Sequence, residues 1–471
     1  MRGRNTWSYR PFRPFLWEVG DIYICRIAPY ENAVHFEWLT VEEGQAVSEL
    51  PYEVLYRKRG EEAFISAAIV VADSELEYGE YTIEGLETEI DYEFMVQSGD
   101  KKSRIRLART GKSVGSIVNY NHPDDNAHAY SGYAFGSPSW IRHPEGYLLA
   151  SMDMFGPGAT PQNTSFIFRS DDDGETWHYV NQIMPSFWAK LFLHKGEVYV
   201  LTVSTEYGDL LIGKSTDGGR TFTAPTVLLR GFNGKRGSVG IHKNPQNILR
   251  ANGRLYETLE WGSWSNSEYC HAAMVMSCDE NDDLLVPENW SFTPPRKFDH
   301  FAPELEDLPM NTMTIEGTLV ISLEGKMYNM MRFGKRGYAL AYEVNQLDPD
   351  AQLTYSHLME FPANFSKFMI KYDEKSGKYY SVATRLYQGG RGNARNYLTL
   401  MASEDLKKWY DVCEIFDYRD QDVEKIGFQY VDFEFEGEDI LFLCRTAING
   451  AANFHDANYF TFHRINNFRE L

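Results

Sequence analysis

Cysteine is scarce in this chain: 471 residues hold only Cys25, Cys270, Cys278, Cys413 and Cys444, an odd number with no paired spacing. Neither a disulfide framework nor a metal-ligand motif is expected from such a set, and buried free thiols are the default. No cofactor is implied, although an ion held by backbone carbonyls on an axis would leave no such trace. Long apolar runs are also missing. No stretch is long enough to cross a bilayer, and the opening MRGRNTWSYRPFRPFLWEVG is basic and aromatic without a signal-type apolar segment. A cytoplasmic chain with no membrane partner is the expectation, or a secreted one if a leader has been removed. Positive charge is short as well, since 46 Lys and Arg face 67 Asp and Glu for a formal charge of -21. The resulting field repels nucleic acid and other polyanions. It does not exclude an acidic sugar, because arginines gathered in a pocket act on a small ligand more strongly than distant, screened charge. Oligomeric state is not encoded in any of these features.

Aromatic residues, by contrast, are abundant at 15%. Tyr, Trp and Phe are favoured in strands and form apolar platforms with a polar handle. The length allows two or three domains. From about residue 19 to 108, period-two segments broken by turns (IYICRIA, AVHFEWLTV, YEVLYRK, FISAAIVV, YTIEGL, YEFMVQS, SRIRLA) give seven short strands, the pattern of a β-sandwich. After Gly111 a longer cycle begins. Six pairs of strands recur every fifty to seventy residues or so, in FGSPSWIRHPEGYLLASM, WAKLFLHKGEVYVLTV, IHKNPQNILRANGRLYETLEW, GTLVISLEGKMYNMMRF, SKFMIKYDEKSGKYYSVATR and FQYVDFEFEGEDILFLCRT. That period fits four-stranded propeller blades with variable loops. A seventh blade would have to come from the long text between Trp261 and Met310.

One hairpin marks the register. In FIFRSDDDGETWHYV, Gly174 is suited to positive φ and the Asp172 carboxylate to bonding turn amides. Its spacing returns from Ser215 to Phe222, in degenerate form from Ser403 to Trp409, and stretched from Ser277 to Trp290. This S-x-D-x-G-x-T-W hairpin resembles the Asp-box (BNR repeat) of the sialidase superfamily, and residues 113–471 resemble its propellers throughout. Residues 17–110 resemble a fibronectin type III domain, with Leu86 and Tyr92 in the tyrosine-corner spacing and Trp38 as the core Trp. The resemblance therefore implies an all-β chain: a sandwich followed by a six-bladed propeller.

A propeller gathers the starts of its inner strands around an axial funnel, so polar residues there are the site candidates: His242 and Asn244, Glu316, Lys367, and Gln429 with Asp432. Arg332, Arg385 and Arg445 close the second strands of later blades. The superfamily resemblance implies a Tyr nucleophile activated by a Glu, an Asp as acid/base and an Arg in the first blade; Glu316 is the candidate Glu, and the sequence marks out no Tyr for the nucleophile. That Arg slot is held here by Gly136. The segments GSPS, SKF, GFQYVD and HDANY also resemble propeller enzymes that cleave rhamnosyl-glucuronate and ulvan-type linkages by elimination, whose first-blade histidines fall on Gly132 and Met152. His122, His128 and His143 would have to substitute, and each also reads as a surface or loop residue. Elimination needs a cation to neutralise the uronate, a base and an acid. Arg445, Gln429, Lys367, Arg332 and Arg385 are the expected substrate-binding groups, and His455, His242, Tyr430 and Glu316 the expected catalytic ones. Elimination at a uronate of an acidic oligosaccharide or polysaccharide is the first expectation, exo-hydrolysis of sialidase type the second, and glycan binding without catalysis the third. His455 reads equally as part of a turn fixed by Asp456 or Asn458. His463 reads as packing, and RLYQGGRGNARN as a lid or a long hairpin loop. Arg445, following ILFLC, needs a carboxylate such as Asp432 or one from the substrate.

Overall fold

The computed structural model describes residues 20–42, 44–156, 163–231, 239–264, 270–363 and 365–471. The basic opening segment and most of GFNGKRGSVG lie outside the described residues. All described regular structure is strand apart from three single-turn 3-10 helices.

The alternating N-terminal segments form two antiparallel sheets. One orders Ile24–Pro29, Ala33–Leu39 and Tyr78–Glu84, and the other orders Arg106–Arg109, Asp91–Ser98, Tyr52–Lys58 and Ile65–Val70. Along Asp91–Ser98 every second residue is buried, so Tyr92, Phe94 and Val96 meet Phe36 and Trp38 in one core. The Tyr92 hydroxyl accepts a hydrogen bond from the Glu87 amide at 3.0 Å, which ties the strand back to the preceding turn. The sandwich is fused to the C-terminal region rather than tethered to it. Arg26, nearly fully buried, donates to the carbonyls of Val118 at 2.8 Å and Ile117 at 2.9 Å, and Ile117, Tyr120 and Tyr459 complete the sandwich core.

The remainder folds as a propeller. Among the described residues, six antiparallel sheets of four main strands follow one another, and each of the six recurrent strand pairs forms the first two strands of one sheet. Blades are numbered from Ala134 onward. In the sixth, Gly427–Glu436, Asp439–Ala447 and Tyr459–Ile465 are completed by Ser116–Tyr120, so the chain's first propeller strand closes its last blade. Residues 270–310 supply only the outer strands of the third blade and connecting chain, without a further sheet. Contacts between blades that are not neighbours show that the ring closes on an axis: Lys190 Nζ to Asp432 Oδ2 at 2.9 Å, Gln246 Nε2 to the Phe368 carbonyl at 2.8 Å, and Tyr430 to Glu316.

The clasped hairpin joins the third and fourth strands of the first blade, at the rim. Asp172 accepts from the Ser170 hydroxyl at 2.8 Å, the Thr176 amide at 2.9 Å and the Thr176 hydroxyl at 2.5 Å, while the Gly174 amide donates to Ser170 Oγ at 2.8 Å. Gly174 has φ +93° as expected, and Trp177 is fully buried. Ser215, Asp217, Gly219 and Thr221 repeat the same bonds in the second blade. In the fifth, Leu406 stands at φ +62° in the turn and the Asp405 carboxylate takes the Lys407 and Lys408 amides. The five cysteines are unpaired, and Cys25, Cys278 and Cys444 are buried.

Candidate active site

Three inner strands carry the same irregularity. Their pairing slips between Phe187 and Lys190, Ile315 and Thr318, and Gln429 and Asp432, in the second, fourth and sixth blades. Each slip is a β-bulge whose extra residue is re-aimed. The residues concerned, Trp188, Glu316 and Tyr430, all have φ +56°, a conformation that costs a non-glycine residue about 1–3 kcal/mol. All three side chains line a cavity of about 620 Å³ at the axial mouth.

Within it the Tyr430 hydroxyl donates to Glu316 Oε1 at 2.5 Å, and Arg332 donates to Glu316 Oε2 at 2.7 Å. Burial pushes the Glu316 carboxyl up, but Arg332 and the Tyr430 hydrogen bond outweigh it, and the group sits below its ordinary value. Burial, reinforced by the Glu316 charge, pushes the Tyr430 phenol up. Arg445 and Arg395 flank the same ring, their guanidinium carbons 5.0 and 5.6 Å from its centroid. Arg332 has a carboxylate; among the described residues neither Arg445 nor Arg395 lies within 4.0 Å of one. Arg445 instead donates to the His455 carbonyl at 2.5 Å, and Arg395 to the Gln429 side chain. The Nε of each is buried without a partner. Burial lowers both guanidinium pKa values, that of Arg395 to about 10, with Arg332 and Arg445 adding to the effect. The Tyr430 ring thus sits beside two buried cations, neither with a carboxylate within 4.0 Å among the described residues.

His455 also lines the cavity, with Nδ1 at 2.8 Å from Asp456 Oδ1 and its ring 5.4 Å from that of Phe155. Burial, followed by the Arg445 charge, lowers its pKa to about 4, so the imidazole is neutral at ordinary pH. The turn around it is fixed by Asn453, whose Oδ1 accepts the amides of His455 and Asp456 at 2.8 Å, while Asn458 braces Ile448. The turn is thus fixed by Asn453 rather than by Asp456 or Asn458 as expected, and the His455 ring still lines the cavity. His242 lines the cavity too, its Nδ1 2.7 Å from Glu260 and its ring packed on Trp188 and the buried His271. Phe155, Phe187, Trp188, Tyr133 and Trp264 form aromatic walls, the last two half-exposed at the mouth.

Three expected substrate-binding residues are placed elsewhere. Gln429 is buried, with Nε2 donating to the Phe454 and His455 carbonyls at 2.7 and 3.1 Å; it holds the His455 loop and orients Arg395. Lys367 lies on the axis outside the cavity wall, bonded to the Val431 carbonyl at 3.2 Å, and burial lowers its pKa to about 7. Arg385 pairs with Asp411 at 2.8 Å beyond the funnel. Asp432 is taken by Lys190 and the Trp140 amide, so it is not the partner of Arg445. The lyase-type positions cannot carry a proton donor: a side-chain carbon at Gly132 would lie 2.4 Å from the Phe155 backbone, and Met152 is fully buried in the core. His122 and His128 face the sandwich at Asp91 and Tyr23, and His143 stacks on Tyr147. His463 is a packing residue, stacked 4.7 Å from Phe442. Arg395 was missed as an individual residue; its only signal was the Gly- and Arg-rich segment 385–396, which buries it behind the Tyr430 ring rather than on the cavity wall.

No family model and no curated protein matches the chain. Several solved structures are similar. A protein of unknown function from Dyadobacter fermentans is 12% identical with a TM-score of 0.50, covering 75% of this chain and 99% of that one. An α-L-arabinanase from Penicillium chrysogenum is 15% identical with a TM-score of 0.49, covering 76% and 99%. A polysaccharide lyase described as an ulvan lyase is 12% identical with a TM-score of 0.42, covering 81% and 88%. At these identities the likeness is one of fold.

Proposed function

We propose that this chain is a carbohydrate-active enzyme that cleaves a terminal, carboxylate-bearing sugar from an acidic glycan, with Tyr430 as the reacting side chain. One observation carries the reading: Tyr430 donates its proton to Glu316 at 2.5 Å while two buried guanidiniums beside it lack a carboxylate. A phenol is a weak nucleophile until a base takes its proton, and Glu316, kept ionised by Arg332, is placed to do so. Buried cations without partners are costly, and a substrate carboxylate would relieve that cost. In this reading Arg445, on the cavity wall, holds the carboxylate, Arg395 adds positive charge from behind the Tyr430 ring, and the aromatic walls take the sugar faces. Tyr430 attacks the anomeric carbon as the glycosidic oxygen leaves, and water then releases the sugar. Of the three carboxyl groups on the described wall, Glu316 is bound to Tyr430 and Asp456 to His455 and Asn453; the third, Glu206, which bonds the Tyr207 phenol, is assigned as the acid for the leaving oxygen.

This order reverses the one expected from sequence, which put elimination first. Elimination remains the second reading on a specific ground: the neutral His455 imidazole, oriented by Asp456, is a base beside Arg445. The same proposal takes residues 17–110 as a fibronectin type III module and 113–471 as a six-bladed sialidase-superfamily propeller. The strand orders and the repeated clasped hairpin support it. The test is incubation with sialylated and uronate-containing oligosaccharides. Hydrolysis releases reducing ends without a new ultraviolet chromophore, whereas elimination produces the absorbing unsaturated uronate. Binding with neither product would overturn the enzyme reading.

A further inference from the structure

A second constellation lies at the joint between the sandwich and the first blade. His35 and Glu37 project from the same face of Ala33–Leu39, opposite the core residues Val34, Phe36 and Trp38. Glu80 is the direct cross-strand partner of Glu37, and Thr82 that of His35. The propeller contributes His178, the residue after the buried Trp177 of the clasped hairpin. His35 Nε2 lies 3.6 Å from Glu37 Oε1 and 3.7 Å from Glu80 Oε2. His178 Nδ1 lies 3.2 Å from Glu37 Oε1 and 3.9 Å from Glu80 Oε2.

A tetrahedral ion with metal–ligand bonds of about 2.0–2.2 Å sets its ligand atoms about 3.3–3.6 Å apart. The four nitrogen–oxygen separations, 3.2 to 3.9 Å, are near such edges. Only His35, Glu37 and Glu80, however, form a set whose ligand atoms all lie within 4.8 Å of one another, so the His178 ring has to swing inward to complete it. Outer contacts hold the imidazole and the inner carboxylate in place. His35 Nδ1 is 3.0 Å from the Thr82 hydroxyl, leaving Nε2 to face the cluster. Glu37 is fully buried, its Oε2 taking the Tyr179 amide at 3.1 Å and its Oε1 the Arg26 guanidinium at 2.9 Å. With Arg26 counted against the two carboxylates, the pocket keeps one net negative charge for a dication. His178 Nδ1 is buried with no hydrogen-bond partner of good geometry.

We propose that His35, Glu37, Glu80 and His178 bind a zinc-class divalent transition metal that bridges the sandwich to the propeller. Two imidazoles and two carboxylates are a borderline-soft set suited to zinc rather than to magnesium or calcium. The site links strands 33–39 and 78–84 to the first blade, so its occupancy would fix the orientation of the sandwich. Nothing in it touches the Tyr430 cavity.

The experiment is calorimetric titration of chelator-treated full-length protein with zinc chloride, with magnesium and calcium chloride as comparisons. Melting curves are recorded with and without zinc. One equivalent of zinc should bind and raise the melting temperature, with no such response to magnesium or calcium. His178→Ala and Glu80→Gln, both partly exposed and outside the core, should each weaken that equivalent by a factor of about ten or more, since even partners outside a metal's ligand set cost about 10–100-fold. No stoichiometric zinc binding, or zinc binding unchanged in both variants, would overturn the proposal. So would a joint whose stability follows histidine protonation in the presence of chelator but is indifferent to zinc. Glycan cleavage is not among the readouts, so failure here leaves the reading of the Tyr430 cavity untouched.

Discussion

The rim and the mouth of the propeller are both built from polar side chains on tight, positive-φ backbone, yet they end in opposite states. At the rim, Asp172 takes hydrogen bonds from Ser170 and Thr176, and Ser170 in turn takes the Gly174 amide, with Trp177 buried behind them. At the mouth, Glu316 and Tyr430 are satisfied by each other and Arg332, but Arg395 and Arg445 keep buried nitrogens without partners. A closed polar network stabilises, because every group has exchanged water for a protein partner. An open one is costly in the free protein, and under the proposed function its missing partner is the substrate carboxylate. On that proposal the contrast separates the part of the molecule that holds the fold from the part that acts.

Three substitutions at the mouth and two away from it test that contrast. Tyr430→Phe and Glu316→Gln should each lower kcat by about 10³-fold or more, as expected for groups that act as a unit in the chemical step. The melting temperature should stay near wild type for Tyr430→Phe, whereas Glu316→Gln, which leaves the largely buried Arg332 without its carboxylate, should also lower it. If Tyr430→Phe kept full turnover, Tyr430 would not be the reacting side chain. Arg445→Ala should weaken kcat/KM for an acidic substrate by about 10²-fold and much less for the same sugar with its carboxyl reduced to an alcohol. Equal losses on the two substrates would mean that Arg445 serves only the His455 loop. Asp172→Ala should behave in the opposite way, costing about 1–2 kcal/mol in urea unfolding with kcat and KM unchanged. A loss of activity in the folded variant would erase the distinction between rim and mouth.

A C-terminal histidine extends the comparison to a smaller effect. His463 is buried against Phe442 and Phe416, and burial lowers its pKa to about 3. Unfolded, the imidazole takes up its proton at about pH 6.5. Stability present above that pH is therefore lost as pH falls towards 3, at up to about 1.4 kcal/mol per pH unit. His463→Phe should flatten acid unfolding between those values and leave neutral-pH activity alone. An unchanged acid slope would show that His463 does not remain neutral in the fold.

The strands of both domains were legible because burial on one face imposes a period of two, and the hairpin because its turn needs glycine and its clasp needs Ser, Asp and Thr at fixed offsets. The inner-strand starts could be counted from that hairpin, which is how Glu316 came into view, with Arg445 at the close of a second strand; nothing in the spacing marked Tyr430 as the partner of Glu316. Their partners could not be counted. Asp432 pairs with Lys190, 242 positions away, and Tyr430 with Glu316, 114 away, because ring closure brings non-neighbouring blades together on the axis. Gln429 and Tyr430 are adjacent in sequence, and only the bulge decides that Tyr430 enters the cavity while Gln429 turns behind it. Arg395 arrives from a loop without periodicity, and His35, Glu37, Glu80 and His178 meet only where one domain docks on another. Local pattern determined the fold class, the blade register and the rim; the closure of the ring and the docking of the sandwich decided which side chains face one another, because those contacts depend on three-dimensional closure rather than on spacing along the chain.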